Sequence, residues 1–300
     1  VTRALATAIA VLWLAACAPV TPPVAAPEIT PETAPERVST ASPGVSVFAD
    51  AFALPRLGRT RRVWLYLPPD YATSGRRYPV LYLHDGQNAF DAATSFAGEW
   101  GVDETLDARH AVGGTVPIVV AVENGGAVRR SEYSPWIGPP GLGGGEGDAW
   151  LADLVFTLKP AVDARLRTLP DRAHTSVAGS SMGGLISLVA LLRYPDVFGA
   201  AGAFSPALWF ARDSVEALAA RAGPPRPGTR LLLTSGSDER DARGAPGTGD
   251  YAADQRRLAA ILGARGWGAA LDTSVVAGGT HSESAWRVAF ARWAGTAFDG

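Results

Sequence analysis

Several residue types that often carry chemistry are scarce in this chain. Among 300 residues there are one cysteine and four histidines, and Lys159 is the sole lysine. With Cys17 alone, no intrachain disulfide can form and cysteine-ligated metal sites are excluded. Neither sign of charge is in excess: 27 Lys and Arg against 29 Asp and Glu leave a formal net charge of −2. That balance offers no electrostatic footprint for nucleic acid. No repeat of about 20–50 residues is visible, so the chain is not a solenoid or array. What remains is 47% hydrophobic content, ample for one large α/β domain.

The chain is organised around Thr175-Ser176-Val177-Ala178-Gly179-Ser180-Ser181-Met182-Gly183-Gly184-Leu185. A short apolar run, Val177 to Ala178, arrives at a Gly-x-Ser-x-Gly pattern, and a helical pattern from Met182 to Tyr194 leaves it. This is the strand–turn–helix setting of a nucleophile elbow. The turn is tight enough that glycine is needed two residues either side of Ser181, at Gly179 and Gly183. Gly184 lets the helix pack closely on the neighbouring strands. Ser181 Oγ is thereby held clear of the sheet at a helix head, where the Met182 N–H can help bind an oxyanion.

Around this stretch, strand and helix patterns alternate. Val45 to Leu54 and Thr60 to Leu67 read as two antiparallel strands, with Pro68-Pro69-Asp70 as the exit turn. Strands follow at Pro79 to Leu83, Val116 to Val122, Ala201 to Phe204, Arg230 to Thr234 and Ala270 to Val276. Helices are expected at Trp100 to His110, Asp148 to Leu166 with Asp148 as N-cap, Pro206 to Ala220, Tyr251 to Ala264, and Glu283 to Ala294. The segment Glu123 to Gly147 reads as a long loop bordering a pocket, with Arg130, Tyr133 and Trp136 as its reachable groups. Such alternation implies an α/β fold: a mostly parallel central sheet, helices on both faces and antiparallel N-terminal strands.

A serine hydroxyl needs an adjacent base to act as a nucleophile. Of the four histidines, only His281 follows the last expected strand, among small residues that leave it room to reach Ser181. A carboxylate must then fix the imidazole tautomer. Asp238 and Glu239, after the strand ending at Thr234, both give the chain order Ser, acid, His. The residues alone leave the two open. Asp85 and Asp91 are read as loop-stabilising hydrogen-bond acceptors and not as metal ligands.

These segments resemble the putative-esterase family of α/β-hydrolases, which includes siderophore esterases, esterase D-like enzymes and carbohydrate esterase family 1. The resemblance is carried by Tyr78-Pro79-Val80-Leu81-Tyr82-Leu83-His84-Asp85-Gly86-Gln87-Asn88 and by Glu132-Tyr133-Ser134-Pro135-Trp136. It continues through Ala161-Val162-Asp163-Ala164-Arg165, Arg172, the Gly179 to Gly184 elbow and Gly279-Thr280-His281-Ser282-Glu283-Ser284-Ala285-Trp286. It implies Glu239 as the acid, the third residue after Gly236, and a second oxyanion donor at the backbone of Gly86 or Gln87. It implies a serine carboxylester hydrolase acting on a small-molecule or glycan ester, with no metal or organic cofactor. An acyltransferase of the same fold shares the chemistry up to the acyl-enzyme. A non-catalytic envelope binding lipoprotein is the reading that Ser181 and His281 argue against.

The N-terminus reads as a targeting segment. Arg3 opens it, Ala4 to Leu14 are almost wholly apolar, and Leu14-Ala15-Ala16-Cys17 resembles the lipobox of bacterial lipoproteins. Residues 1–17 are therefore expected to be a signal segment ending at a lipidated Cys17. Residues 18–44 form a Pro/Ala/Thr-rich tether, and 45–300 the folded domain. The expected location is the cell envelope, on the outer membrane or facing the periplasm, with the membrane touched only through the lipid. Nothing in the sequence sets an oligomeric state. Cys17→Ser in the full chain should abolish lipid labelling and move the protein from the membrane to the soluble fraction. Retention in the membrane without the cysteine would rule the anchor out.

Overall fold

Among the described residues, buried runs of β-branched and small residues form the middle of a sheet whose eight strands lie in the order β1-β2-β4-β3-β5-β6-β7-β8. The computed structural model describes residues 38–96, 98–239 and 249–298; the expected signal segment, Cys17 and the expected tether as far as residue 37 lie outside them. Strands β1 (Val45–Leu54) and β2 (Arg59–Tyr66) pair antiparallel, and β2 pairs antiparallel with β4 (Ile118–Val122). From β4 onward the neighbours are parallel, through β3 (Val80–His84), β5 (Thr175–Ser180), β6 (Ala200–Phe204), β7 (Arg230–Gly236) and β8 (Leu271–Val276). The expected fold class is therefore the observed one.

Successive side chains on each central strand enter opposite layers, as the period of two requires. Tyr82 and Val120 join one core with Leu185, Leu188 and Phe198, whereas Leu81, Leu83, Val119 and Ala121 join the other. The second layer is rich in aromatics: Trp100, Phe204, Trp286, Phe290 and Trp293 meet at ring separations of 5.2–6.4 Å. The longer helices are α1 (Val102–Ala111), α2 (Gly147–Asp153), α3 (Lys159–Arg165), α4 (Met182–Arg193), α5 (Arg212–Arg221), α6 (Tyr251–Ala264) and α7 (Glu283–Ala297).

Four expectations change. The single helix from Asp148 to Leu166 is instead α2 and α3 joined by a π turn at Leu154–Leu158. Pro160 lacks the N–H that would bond the carbonyl four residues back, so the turn before it widens. Asp148 is not the N-cap. The Gly147 N–H bonds Ser134 O (3.0 Å) and starts the helix one residue sooner, leaving Asp148 in the first turn, paired with Arg193. The helix expected from Pro206 is a 3-10 turn, Leu208–Ala211, followed by α5. The segment from Glu123 to Gly147 is not structureless either: it holds a 3-10 turn at Gly126–Val128 and a helical turn at Arg129–Glu132.

The elbow glycines are required by space. A Cβ on Gly179 would stand 2.7 Å from Gly183 C, and one on Gly184 would stand 3.1 Å from Phe204 O. Helix α4 thus crosses the end of β5 at backbone contact. Gly179→Ala should lower unfolding free energy by about 1–3 kcal/mol, the usual cost of overpacking a site that cannot give way. A urea midpoint equal to wild type would show that the crossing has slack.

Candidate active site

Among the described residues, three non-glycine positions have positive φ: Asp85 (61°), Ser181 (56°) and Ser205 (40°). Each directly follows a strand: β3, β5 and β6, which are adjacent in the sheet. Conformations this sparsely populated persist only where surrounding contacts over-determine them, and they collect at functional sites. They also lie at the carboxyl ends of parallel strands, where open α/β sheets bind ligands.

At the middle of the three, Ser181 has ψ −119°, donates its N–H to Phe204 O (2.9 Å) and accepts at its own carbonyl from Ala207 and Leu185. The turn leaves Ser181 half-buried at the head of α4, while Ser180 is buried. Met182 is the first residue of that helix, so its N–H has no intrahelical carbonyl to bond. On the neighbouring strand, Asp85 turns the chain into a 3-10 helix at Gly86–Asn88. Gly86 is glycine because a Cβ there would meet Ala121 O at 2.6 Å; its small size serves packing against β4.

Later strands bring in the imidazole and the carboxylate. Glu239 follows β7 and His281 follows β8, and His281 Nδ1 lies 2.7 Å from Glu239 Oε2. Glu239 Oε1 accepts from Ser205 Oγ (2.7 Å) and from the Gly236 N–H. Asp238 directs its backbone N–H to Gly279 O (3.0 Å), tying the two loops together. That pairing is close because neither Gly236 nor Gly279 has a Cβ. The geometry thus puts Glu239, and not Asp238, on the imidazole.

Helix capping explains where the His281 ring rests. Ser282 is the N-cap of α7, its side chain accepting from the Ala285 N–H (3.4 Å). His281 is then N′ and Trp286 N4, the two positions that pack together in a hydrophobic staple. Their rings meet edge to face at 4.9 Å. Tyr251, at the first position of α6, covers the imidazole from another side at 5.0 Å, and its hydroxyl accepts from Trp209 Nε1. Burial raises the Tyr251 phenol to about 12. Nothing local in the sequence distinguishes Tyr251 from any aromatic at a helix start.

The two arginines of this segment take different places. Arg130 is exposed, whereas Arg129 forms a two-point ion pair with Asp85 (2.6 and 2.7 Å) beneath the turn after β3. Burial works against the Arg129 charge, but the Asp85 carboxylate outweighs it and holds the guanidinium above its ordinary range. Asn124 Nδ2 adds a third donor to Asp85 at 2.7 Å. Tyr133 is not reachable from a pocket: it is fully buried, and its hydroxyl accepts the Asp85 N–H at 3.2 Å. Trp136 is half-buried under the Arg193 guanidinium. A further contact went unforeseen, Asn88 Nδ2 to Glu283 Oε1 at 3.1 Å, which links the turn after β3 to the start of α7.

Asp91 accepts from Ser39 Oγ, the Thr40 N–H and the Ala93 N–H, as a loop-holding carboxylate does. Carboxylates grouped closely enough to ligate a cation, among the described residues, are Glu99, Asp103 and Glu104, with oxygens within 4.8 Å of one another. They lie beneath residues 40–42, where Thr40 donates to Glu99 and the Ser42 N–H to Asp103.

A raised serine on a strained strand-to-helix turn, with an imidazole–carboxylate pair on the ends of later strands, is the equipment of acyl transfer. Together with this strand order it defines an α/β-hydrolase. Within that class, the profile of the family described as "Putative esterase" matches residues 55–296, and the chain belongs to that family of carboxylic ester hydrolases. It is 29% identical over 188 residues to YbbA of Bacillus subtilis, described only as an uncharacterized protein; the match covers 60% of this chain and 69% of YbbA. It is 31% identical over 146 residues to the siderophore triacetylfusarinine C esterase of Aspergillus fumigatus, covering 47% of this chain and 48% of that enzyme. Among solved structures, the siderophore hydrolase EstA of Aspergillus nidulans shares the fold at a TM-score of 0.65 and 20% identity, covering 85% of this chain and 95% of that one.

His84 closes this region from below, buried between Tyr133 and Trp150, with neither ring nitrogen hydrogen-bonded. Burial pushes its imidazole down to about 4, with Asp85 opposing and Arg129 reinforcing the shift. A folded value below the unfolded one favours the neutral ring. Its contribution is complete above about pH 6.5 and is lost as pH falls through about 4, a change of roughly 3 kcal/mol. His84→Leu should therefore lose less stability between about pH 7 and 4 than wild type, read from urea midpoints. Parallel pH dependences would mean that His84 takes up its proton as readily in the folded protein as in the unfolded chain.

Proposed function

We propose that Ser181, His281 and Glu239 are the triad of a serine esterase that works through an acyl-enzyme. The observation that carries this is the 2.7 Å contact between His281 Nδ1 and Glu239 Oε2, at the same end of the sheet as the strained Ser181. Ser181 Oγ attacks the ester carbonyl while His281 Nε2 takes its proton. The tetrahedral oxyanion is met by the Met182 N–H and by that of Gly86 or Gln87. Collapse expels the alcohol, which leaves with the proton from His281, and water then repeats the sequence to free the acid. Glu239 orients the imidazole and stabilises its cation throughout. No step calls for a cofactor.

The substrate to test first is a siderophore ester, since a named relative cleaves one. Acetylated or feruloylated glycans and short acyl esters complete the panel. The site of action we propose is the cell envelope, with lipid on Cys17 joined to the domain by a tether that ends where Ser39, Thr40 and Ser42 bond Asp91, Glu99 and Asp103.

Turnover on this panel tests the assignment directly. Ser181→Ala should lose several orders of magnitude with the fold intact, because triad members act as a unit. Glu239→Gln keeps the shape and removes the charge; comparable changes in another triad cost about 10⁴-fold in kcat. Asp238→Asn should be mild. Turnover by Ser181→Ala near wild type would sink the proposal, and a crippled Asp238→Asn beside an active Glu239→Gln would move the acid by one residue.

A further inference from the structure

We infer that Trp286 and Ser205 are positioning residues that fix which nitrogen of His281 carries the proton, an inference that rests on the triad proposed above. An indole nitrogen can only donate, an ionised carboxylate can only accept, and a serine hydroxyl has a single proton to give. Ser205 Oγ stands between the two, 2.9 Å from Trp286 Nε1 and 2.7 Å from Glu239 Oε1. Because Trp286 must donate to Ser205, the hydroxyl proton is committed to Glu239. Glu239 Oε1 also receives the Gly236 N–H, so two donors occupy that oxygen. Its remaining oxygen, Oε2, then demands a donor from His281 Nδ1 at 2.7 Å. The Nδ1 proton leaves Nε2 bare, the form needed to accept the Ser181 proton. The direction of the whole chain, Trp286 to Ser205 to Glu239 and His281 to Glu239, is set at the indole.

Two further observations favour this role. Ser205 holds a φ of 40°, a region easier for glycine, and its N–H bonds Thr234 O on β7 (2.6 Å). What serine adds there is the hydroxyl, aimed across the β6–β7 boundary at the acid. Trp286 also packs against the His281 ring itself through the helix-start staple. One side chain therefore restrains the base by contact and its tautomer by hydrogen bonds.

Two variants separate the roles. Trp286→Phe keeps a six-membered ring against His281 and Trp100 and removes the N–H with the five-membered part of the indole; Ser205→Ala removes the hydroxyl. For Ser205→Ala, kcat on an unactivated ester should fall about tenfold with KM little changed, as expected for a lost charge-assisted hydrogen bond. The acid limb of kcat/KM should move to higher pH, because Glu239 without that donor stabilises imidazolium more strongly. The downfield proton resonance of His281 Nδ1, followed by NMR in the Ser181→Ala background, should shift as well. Trp286→Phe should show smaller changes of the same sign, and it decides the matter if Ser205→Ala does not fold. A packing role alone would lower Tm and leave the limb and the resonance in place, which overturns the inference. Glu239→Gln distinguishes the failures. If it abolishes the resonance while both variants leave it unmoved, only the positioning role falls. If it leaves the resonance and limb as in wild type, the triad itself is wrong and the inference falls with it.

Discussion

The backbone contact between the end of β5 and the first turn of α4 is the constraint on which the rest depends. Gly179 and Gly183 touch there with no side chain between them, and the first turn of the helix is delivered directly beyond Ser181. The same turn draws in its neighbours. Gly183 lies against the Asp85 carboxylate and His84 Cβ, and Gly184 against Phe204 O and Pro206. The ends of β3, β5 and β6 thus converge on one helical turn. Each of them must redirect abruptly there, which is why the positive-φ residues Asp85, Ser181 and Ser205 sit side by side. Backbone strain is concentrated where the reactive groups have to be aimed.

Polar groups take the place of covalent staples around this centre. With a single cysteine there is no disulfide, and buried carboxylates hold distant segments instead. Asp85 takes Arg129 and Asn124; Glu132 takes Arg59 and Arg61; Asp153 takes the N–H groups of Arg56 and Leu57; Asp103 takes that of Ser42. Each such pair adds little net stability over an apolar replacement. Breaking one leaves a buried charge unpaired, typically at about 3–5 kcal/mol. The value of these pairs lies in fixing loop positions, and Arg129 fixes the loop that would face the oxyanion.

The other layer of the fold sets the position of His281. Trp100, Phe204, Phe290 and Trp293 pack α7 onto the sheet, so the first turn of α7 is held firmly under His281. A loop histidine would lose conformational freedom on every productive contact with serine. Capping by Ser282 and the edge-to-face contact with Trp286 restrict that freedom in the folded state.

The sequence by itself determined the features that depend on neighbours in the chain. Strand β1 and helix α6 begin and end where periodicity places them, and the Gly-x-Ser-x-Gly turn, His281 as the histidine after the last strand and the Ser-acid-His order are all legible. These are read within a few residues, where hydrophobic period and turn chemistry act. What only the tertiary structure decided are choices between adjacent or unremarkable residues: Arg129 over Arg130, Glu239 over Asp238 on the imidazole, Tyr133 as a buried pin, Tyr251 and Ser205 as neighbours of the site. Those choices depend on which strand ends lie side by side. Trp286 and Ser205 are 81 residues apart, and Asn88 and Glu283 are 195 apart. No local pattern encodes such contacts, because they arise only when β6 lies against β7 and α7 packs beneath both.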